Sequence, residues 1–286
     1  MGHITRATLV QAILAAAGRD PRILGVLDYG STSERRGDEW SDVDLALFLR
    51  DQDVAAFTRD WQAWAGQFGR LLLAYTSGLG KPWAVYAARP LPLRADFNFW
   101  PISTARQILH WPNAPATIES MLLYDTAEGQ LRPYVAQIVG QSLRPPDLEQ
   151  TFQQVCGDFW YYALRTWAKL LRGQLWAARH EYDSIMLGNL MALLRIEAGA
   201  TEHWRGSSAA LGIEQAIPAA RLAQVDRCIA GPSANDLRQS FAQSAQLAQA
   251  VCGRIAEQHG WAWPQALAEQ MVAITAPTAR VTGKRR

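Results

Sequence analysis

The sequence has few of the residues that form the commonest disulfide and zinc sites. Its three cysteines, Cys156, Cys228 and Cys252, lie far apart in the 286-residue chain, and no CxxC pair occurs. This spacing excludes a short disulfide framework and favours free thiols in a reducing compartment. The five histidines form neither an HExxH motif nor a pair with ligand spacing. A zinc site is therefore not expected.

Long hydrophobic runs and an excess of one charge are also missing. No stretch reaches the roughly 18 to 20 apolar residues that span a bilayer. The net charge of +2 is too small for the basic stripe of a nucleic-acid-binding protein, and lysine occurs only at 81, 169 and 284. Residues 1–17 contain no signal-peptide cleavage pattern. We therefore expect a cytoplasmic protein with neither a nucleic-acid nor a membrane partner.

The hydrophobic pattern divides the chain near Pro145 and Pro146, a plausible linker. Before them, helical and strand patterns alternate, and the strands are expected at 23–29, 43–49, 71–75, 83–88 and 94–100. After them, nearly everything reads as helix, at 147–172, 174–198, 214–230, 233–258 and 264–276. The predicted class is α+β. A mixed-sheet α/β domain (1–143) precedes a helical bundle (147–276) and a basic tail (277–286).

Residues 29–44, which read YGSTSERRGDEWSDVD, carry the clearest chemistry. Asp42 and Asp44 are two apart at the start of a strand, so both carboxylates project from one face. A shared divalent cation removes their repulsion, and hard oxygen ligands suit Mg²⁺. Gly30 allows a phosphate to approach the backbone closely, and Ser31 adds a hydroxyl donor. Together these residues can hold a nucleoside triphosphate and its metal.

A third carboxylate, Asp96, lies on a later strand. Within residues 94–100, Asp96 and Asn98 share one face of the strand, and Phe97 and Phe99 share the other. An ionisable side chain among aromatic residues needs compensation if it is buried. A metal ion would supply it, as would an acceptor hydroxyl that gives up its proton.

These motifs resemble the nucleotidyltransferase superfamily that includes DNA polymerase beta. Residues 29–44, 94–99, 121–125 and 129–131 are similar to antibiotic nucleotidyltransferases of the lincosamide type. The helical half is similar to those enzymes and also to aminoglycoside 6-adenylyltransferases, at residues 156–160, Lys169 and 261–264. The resemblance covers roughly residues 5–270, in patches.

The resemblance implies transfer of a nucleoside monophosphate from an NTP, with ATP expected, to a hydroxyl group. Gly30 and Ser31 would bind the triphosphate, aided by one arginine, Arg36 or its neighbour Arg35, and by Lys169. Asp42, Asp44 and Asp96 would be the catalytic residues and would bind Mg²⁺. Asp96 would act as general base, as metal ligand or as both. The lincosamide enzymes have Glu at the second and third acidic positions, where this chain has Asp. The shorter side chains place the carboxylates of this chain closer to the backbone.

The expected acceptor is a small amine-bearing antibiotic, lincosamide-like or aminoglycoside-like, with a preference for the lincosamide. Asp158, Trp160 and Tyr161 in the helical half are expected to contact it, although Asp158 fits a helix-surface role equally well. Solvated side chains are the alternative for Arg36 and Lys169. Other possible functions are a protein AMP-transferase and a catalytically silent nucleotide-binding protein. A monomer and a homodimer are both compatible with the sequence.

Overall fold

A computed structural model describes residues 4–126, 129–141, 147–201 and 209–276. The chain forms two compact units, Met1–Ser142 and Leu143–Arg286. The proposed linker prolines, Pro145 and Pro146, and the tail 277–286 lie outside the described residues. Among the described helices, none is both long enough and apolar enough to cross a membrane.

The first unit is built on a mixed sheet whose described strands follow the order β3-β4-β5-β2-β1-β6. Only β2 and β5 run parallel, and the other neighbouring strands are antiparallel. This sheet, followed by helices in the second unit, confirms the predicted α+β class. The strands are β1 (Ile23–Asp28), β2 (Val43–Leu49), β3 (Leu71–Thr76), β4 (Pro82–Tyr86), β5 (Leu93–Pro101) and β6 (Leu122–Asp125).

Helices cover both faces of this sheet. The longest two are α1, which begins after a capping box formed by Thr5 and Thr8, and α2. The α-helices of the unit are α1 (Arg6–Ala17), α2 (Val54–Ala65), α3 (Ile118–Met121) and α4 (Arg132–Ile138). Short 3-10 segments lie at Asp51–Asp53, Gly66–Phe68 and Ile102–His110.

Strand β2 shows how the two faces are used. Its odd-numbered residues, such as Leu45 and Leu47, are buried against α1 and α2. Its even-numbered residues Ala46 and Phe48 are buried against the 3-10 segment and α4. Because side chains alternate along a strand, Asp44 belongs to the same face as Ala46 and Phe48. Asp44 thus lies at the start of a strand whose later residues belong to the core.

The second unit is helical. Its two longest helices have clear capping residues. Asp147 and Ser233 cap the two longest helices through their side chains, and Gly260 ends one of these helices in the left-handed region at φ 74°. The helices are α5 (Leu148–Leu171), α6 (Leu175–Glu181), α7 (Leu187–Glu197), α8 (Ile213–Ala216), α9 (Ala219–Asp226), α10 (Ala234–His259) and α11 (Gln265–Thr275).

Three local features differ from the sequence-based expectation. Strand β6 was not predicted, and it pairs with β1 at the sheet edge. The helix expected at 214–230 is two short helices, because Pro218 has no N–H to continue the first. The helix expected at 174–198 is interrupted by a π-helical turn, Tyr182–Met186. All three cysteines are buried free thiols.

Candidate active site

The structure brings the three predicted carboxylates together. Asp42 immediately precedes β2, Asp44 is its second residue, and Asp96 lies directly opposite Asp44 on the parallel neighbour β5. One carboxylate oxygen from each residue lies within 4.8 Å of those of the other two. All three side chains are half-buried. A parallel register between two strands far apart in sequence therefore creates the acidic cluster.

This cluster carries more negative charge than its surroundings neutralise. Burial, followed by repulsion from Asp42 and Asp96, raises the pKa of Asp44 to about 7. Burial and then Asp42 also raise the pKa of Asp96, although Arg94 and Lys81 act in the opposite direction. Half-buried carboxylate oxygens that repel one another fit a hard divalent cation, which would relieve the repulsion. The donor set is thus compatible with Mg²⁺.

The turn after β1 lies directly against Asp44. Gly30 is buried, and a Cβ atom built on it would lie 2.2 Å from Oδ2 of Asp44. Only glycine therefore leaves space for that carboxylate. The hydroxyl groups of Ser31 and Ser41 lie 3.3 Å apart, which ties the turn to the residue before Asp42. Sequence reasoning assigned Gly30 to phosphate approach, and the structure shows that it also accommodates a carboxylate.

A buried ion pair supports the same region and was missed from the sequence. Asp28, the last residue of β1, is paired with Arg6 at the start of α1. Burial raises the pKa of Asp28, and the Arg6 charge opposes this rise. The one acid in the otherwise apolar run 23–29 is the sequence signal for such an ion pair, but the run by itself predicts only a strand.

Two cations adjoin the acidic cluster, and neither is the predicted Arg36. Nη2 of Arg94 lies 2.5 Å from Oδ2 of Asp42. Nζ of Lys81 lies 2.6 Å from Oδ1 of Asn98, which follows Asp96 on the same face of β5. Arg36 instead donates to Glu34, with Nε 2.9 Å from Oε2. Sequence reasoning missed Lys81 and Arg94 because their position depends on strand register.

Tyr29 lines the cluster from the turn side. Its hydroxyl oxygen lies 3.5 Å from the carbonyl oxygen of Asp96. Burial, and then the charge of Asp44, raises the pKa of Tyr29 well above its usual range. The phenol is therefore neutral and remains a hydrogen-bond donor.

In the second unit, Lys169 is engaged rather than solvated. It pairs with Glu181, a buried carboxylate that also forms an ion pair with Arg165, whose Nε lies 2.8 Å from Oε1. Thr166 lies beside the same carboxylate, with a hydroxyl-to-oxygen distance of 3.3 Å. The alternative of a free surface lysine is therefore wrong. The predicted triphosphate contact of Lys169 remains a prediction.

The expected acceptor-binding set on α5 does not form one surface. Asp158 and Tyr161 are exposed, Tyr161 by 59%. Trp160 is fully buried and packs edge-on against Phe159, with ring centroids 5.0 Å apart. Since each helical residue turns about 100°, Trp160 falls on the side of the apolar stripe while positions three apart share the exposed face. Trp160 is a core residue, so the expected contact between Trp160 and the acceptor was wrong.

The sequence model of the streptomycin adenylyltransferase family matches residues 92–276, more than half of the chain. The chain belongs to this family. It is an antibiotic nucleotidyltransferase, as the sequence motifs predicted. The matched region contains Asp96 and the whole described helical unit, whereas Gly30, Asp42 and Asp44 precede it.

Comparisons with solved structures give distant likenesses. An aminoglycoside 6-adenyltransferase from Bacillus subtilis has 13% sequence identity and a TM-score of 0.44, covering 95% of this chain and 97% of that one. A nucleotidyltransferase-like protein from Exiguobacterium sibiricum has 10% identity and a TM-score of 0.37, covering 93% of this chain and 86% of that one. No curated protein sequence matches the chain.

Proposed function

We propose that this enzyme transfers AMP from ATP to a hydroxyl group of an aminoglycoside antibiotic in the presence of Mg²⁺. The observation that carries the proposal is the convergence of Asp42, Asp44 and Asp96 within 4.8 Å in a chain of the streptomycin adenylyltransferase family. Three clustered acids fit metal-assisted phosphoryl chemistry better than a passive surface, since two of them have raised pKa values. Cytoplasmic residence belongs to the same proposal.

Asp42 and Asp44 would hold the metal, and Asp96 would complete its ligand set or lie beside it. Bound there, Mg²⁺ would neutralise triphosphate charge and polarise the α-phosphate. The missing side chain of Gly30 leaves room for the Asp44 carboxylate. The turn that carries Ser31 would present its hydroxyl group to the phosphates.

The transfer step balances with one bond formed and one broken. The acceptor hydroxyl oxygen forms a bond to the α-phosphorus. The bond from that phosphorus to the bridging oxygen breaks, and pyrophosphate leaves with the electron pair. Asp96 takes the hydroxyl proton, a role typically worth about 10² to 10⁴ in rate.

The leaving pyrophosphate needs cations, and Lys81 and Arg94 adjoin the cluster. Lys81 donates to Asn98, which lies next to Asp96 on the same face of β5. Arg94 forms an ion pair with Asp42. Arg36 is a weaker choice, because Glu34 already holds its guanidinium. Lys169 remains a proposed phosphate ligand, oriented by Glu181.

The acceptor is proposed to be a polyamine-bearing sugar, because a negatively charged site attracts amines. Family membership supports an aminoglycoside, whereas the lincosamide preference rested only on the likeness of residues 29–131. Asp158 and Tyr161, on the exposed face of α5, remain proposed acceptor contacts. Membership of an enzyme family also argues against a silent nucleotide-binding protein and against a protein AMP-transferase.

A transfer panel tests the proposal. The enzyme is incubated with Mg²⁺, each of the four ribonucleoside triphosphates, and streptomycin, other aminoglycosides and lincomycin in turn. Mass spectrometry should detect one added AMP on an aminoglycoside with ATP. An adduct on lincomycin alone would restore the lincosamide preference. No adduct on any antibiotic would contradict the proposed reaction.

The Asp96→Asn variant tests the base. We expect it to retain Mg·ATP binding by calorimetry and to lose most transfer, with a smaller loss at high pH, where the acceptor hydroxyl gives up its proton more easily. Loss of Mg·ATP binding would instead make Asp96 primarily a metal ligand.

A further inference from the structure

Arg6 connects two segments that the proposed metal site depends on. Two of its nitrogens serve two different acceptors. Nη2 pairs with Oδ2 of Asp28, and Nε donates to the carbonyl oxygen of Asp42 at 3.1 Å. One guanidinium therefore joins the end of β1 to the residue that begins the acidic cluster.

Asp28 extends this connection into the turn. Its other oxygen, Oδ1, accepts the backbone N–H of Gly30 at 2.9 Å. Gly30 is the residue whose missing Cβ leaves space for Asp44. A continuous chain of contacts thus runs from the Asp42 carbonyl through Arg6 and Asp28 to the backbone beside Asp44.

The burial of this pair distinguishes it from ordinary surface ion pairs. Only 2% of the Asp28 side chain and 24% of the Arg6 side chain are exposed. A charge buried to this extent is retained only when it is paired and hydrogen-bonded. A second ion pair near the opposite end of β1, between Arg22 and Asp20, is more exposed, at 39% and 18%. The Arg22 guanidinium donates to Asp20 and lies over the Phe57 ring, with Cζ 4.9 Å from the ring centroid.

We propose that Arg6 and Asp28 are positioning residues that hold Asp42 and the Gly30 turn in the geometry the metal requires. This inference rests on the proposed metal-dependent transfer. Neither residue touches the reacting atoms. Their effect reaches the cluster through the Asp42 carbonyl and the Gly30 N–H.

The planar fork of arginine explains the choice of residue. It presents Nε and Nη2 in fixed directions, so both acceptors are met at once. A lysine keeps the positive charge for Asp28 but has a single nitrogen. The Arg6→Lys variant should therefore preserve the buried ion pair and loosen Asp42.

The decisive experiment compares Arg6→Lys with the matched control Arg22→Lys in the full chain. Calorimetry with Mn²⁺ or Mg²⁺ gives metal affinity, thermal melting gives stability, and steady-state assays give kcat and KM against Mg²⁺. We expect Arg6→Lys to weaken metal binding by about tenfold, the lower range for changes to groups that orient ligands. Raising Mg²⁺ should recover turnover. Arg22→Lys should match the wild type in metal affinity.

A purely structural role predicts a different result. Arg6→Lys would then melt earlier while binding metal as tightly as the wild type, and that outcome overturns the proposal. If Arg6→Lys does not fold, Asp28→Asn decides the question. Its amide oxygen can still accept from Gly30, but it no longer carries the charge that holds Arg6. The same weakening of metal binding is expected, and unchanged affinity contradicts the proposal. A wild-type enzyme that binds no metal would contradict the proposed function instead.

Discussion

Asp44 is the residue in which the electrostatic cost of the site is concentrated. Its folded pKa of about 7 lies above its ordinary value of 3.8, chiefly because of burial. Between these two pH values the folded protein holds a proton that the unfolded chain has lost. Stability without metal should therefore fall as pH rises from about 4 to about 7.

The Asp44→Asn variant measures this effect. We expect it to melt at a higher temperature than the wild type at pH 8 in the absence of metal, and to differ little at pH 4. Saturating Mg²⁺ should stabilise the wild type at pH 8 and leave the variant unchanged. Equal pH dependence in the two proteins would show that Asp44 does not carry a raised pKa.

Arg94 neutralises part of the cluster until a metal does so. Its side chain is 65% exposed, and it pairs with Asp42. In Arg94→Ala, Mg²⁺ should bind up to about fivefold more tightly without nucleotide, because an exposed ion pair is worth at most about 1 kcal/mol. The KM for ATP should rise, since the proposed phosphate contact is lost.

The control for Arg94 is Arg59→Ala, which removes an exposed ion pair with Asp60 on α2. It should change neither quantity. Weaker Mg²⁺ binding in Arg94→Ala would show that the arginine supports the metal site rather than competing with it.

The predictability of the site differs from residue to residue. Asp42 and Asp44 were identified because a two-residue spacing at a strand start is a local pattern. Asp96 followed from its position on an alternating strand. Arg94 was missed because only the parallel register of β2 and β5, which pairs Val43 with Ala95, brings it to Asp42. Lys81 was missed because only the pairing of β4 with β5 brings it to Asn98. Asp28 was missed because its partner Arg6 lies 22 residues earlier.

At the scale of elements, the turn after β1 depends on a missing side chain. A Cβ on Gly30 would meet Oδ2 of Asp44 at 2.2 Å, and the backbone of Gly30 is not in the left-handed region. Gly30→Ala should therefore act by displacing the carboxylate. We expect it to weaken Mg²⁺ binding by about tenfold or more while the fold remains.

Gly18→Ala is the matched control for this turn. Gly18 ends α1 in the same unit with φ −63°, and its added Cβ would make only ordinary contacts, 3.7 Å from the carbonyl oxygen of Leu14. Its metal affinity should equal that of the wild type. If Gly30→Ala also binds metal normally, the close approach to Asp44 has no functional importance.

Most strands with a regular apolar pattern were predicted, including the five-residue β4, whereas β6 was not. Strand β2 has the predicted bounds because every one of its residues except Asp44 is apolar. Strand β6 has four residues and directly follows a helical turn, so its pattern was not separable from its neighbour. The π-helical turn Tyr182–Met186 has no distinct sequence pattern. Pro218 marks the break between α8 and α9, but the expected helix at 214–230 ran through it.

For the whole molecule, the sequence predicted a mixed-sheet first part and a helical second part, but not the details of the helical unit. A change from mixed patterns to continuous helical periodicity predicted the α+β class. The role of each aromatic residue required the structure, because Trp160 and Tyr161 are adjacent in sequence and opposite in burial. Family membership then identified the chemistry that the acidic cluster alone leaves open.

The most direct test of AMP transfer follows the phosphorus atoms of ATP. The enzyme is incubated with Mg²⁺, streptomycin or another aminoglycoside, and ATP labelled at either the α- or the γ-phosphate. Label should appear in the antibiotic only from the α-phosphate, the γ-label should appear in pyrophosphate, and Asp42→Asn should transfer neither. Transfer of the γ-label to the antibiotic, or unchanged α-transfer by Asp42→Asn, would contradict the account.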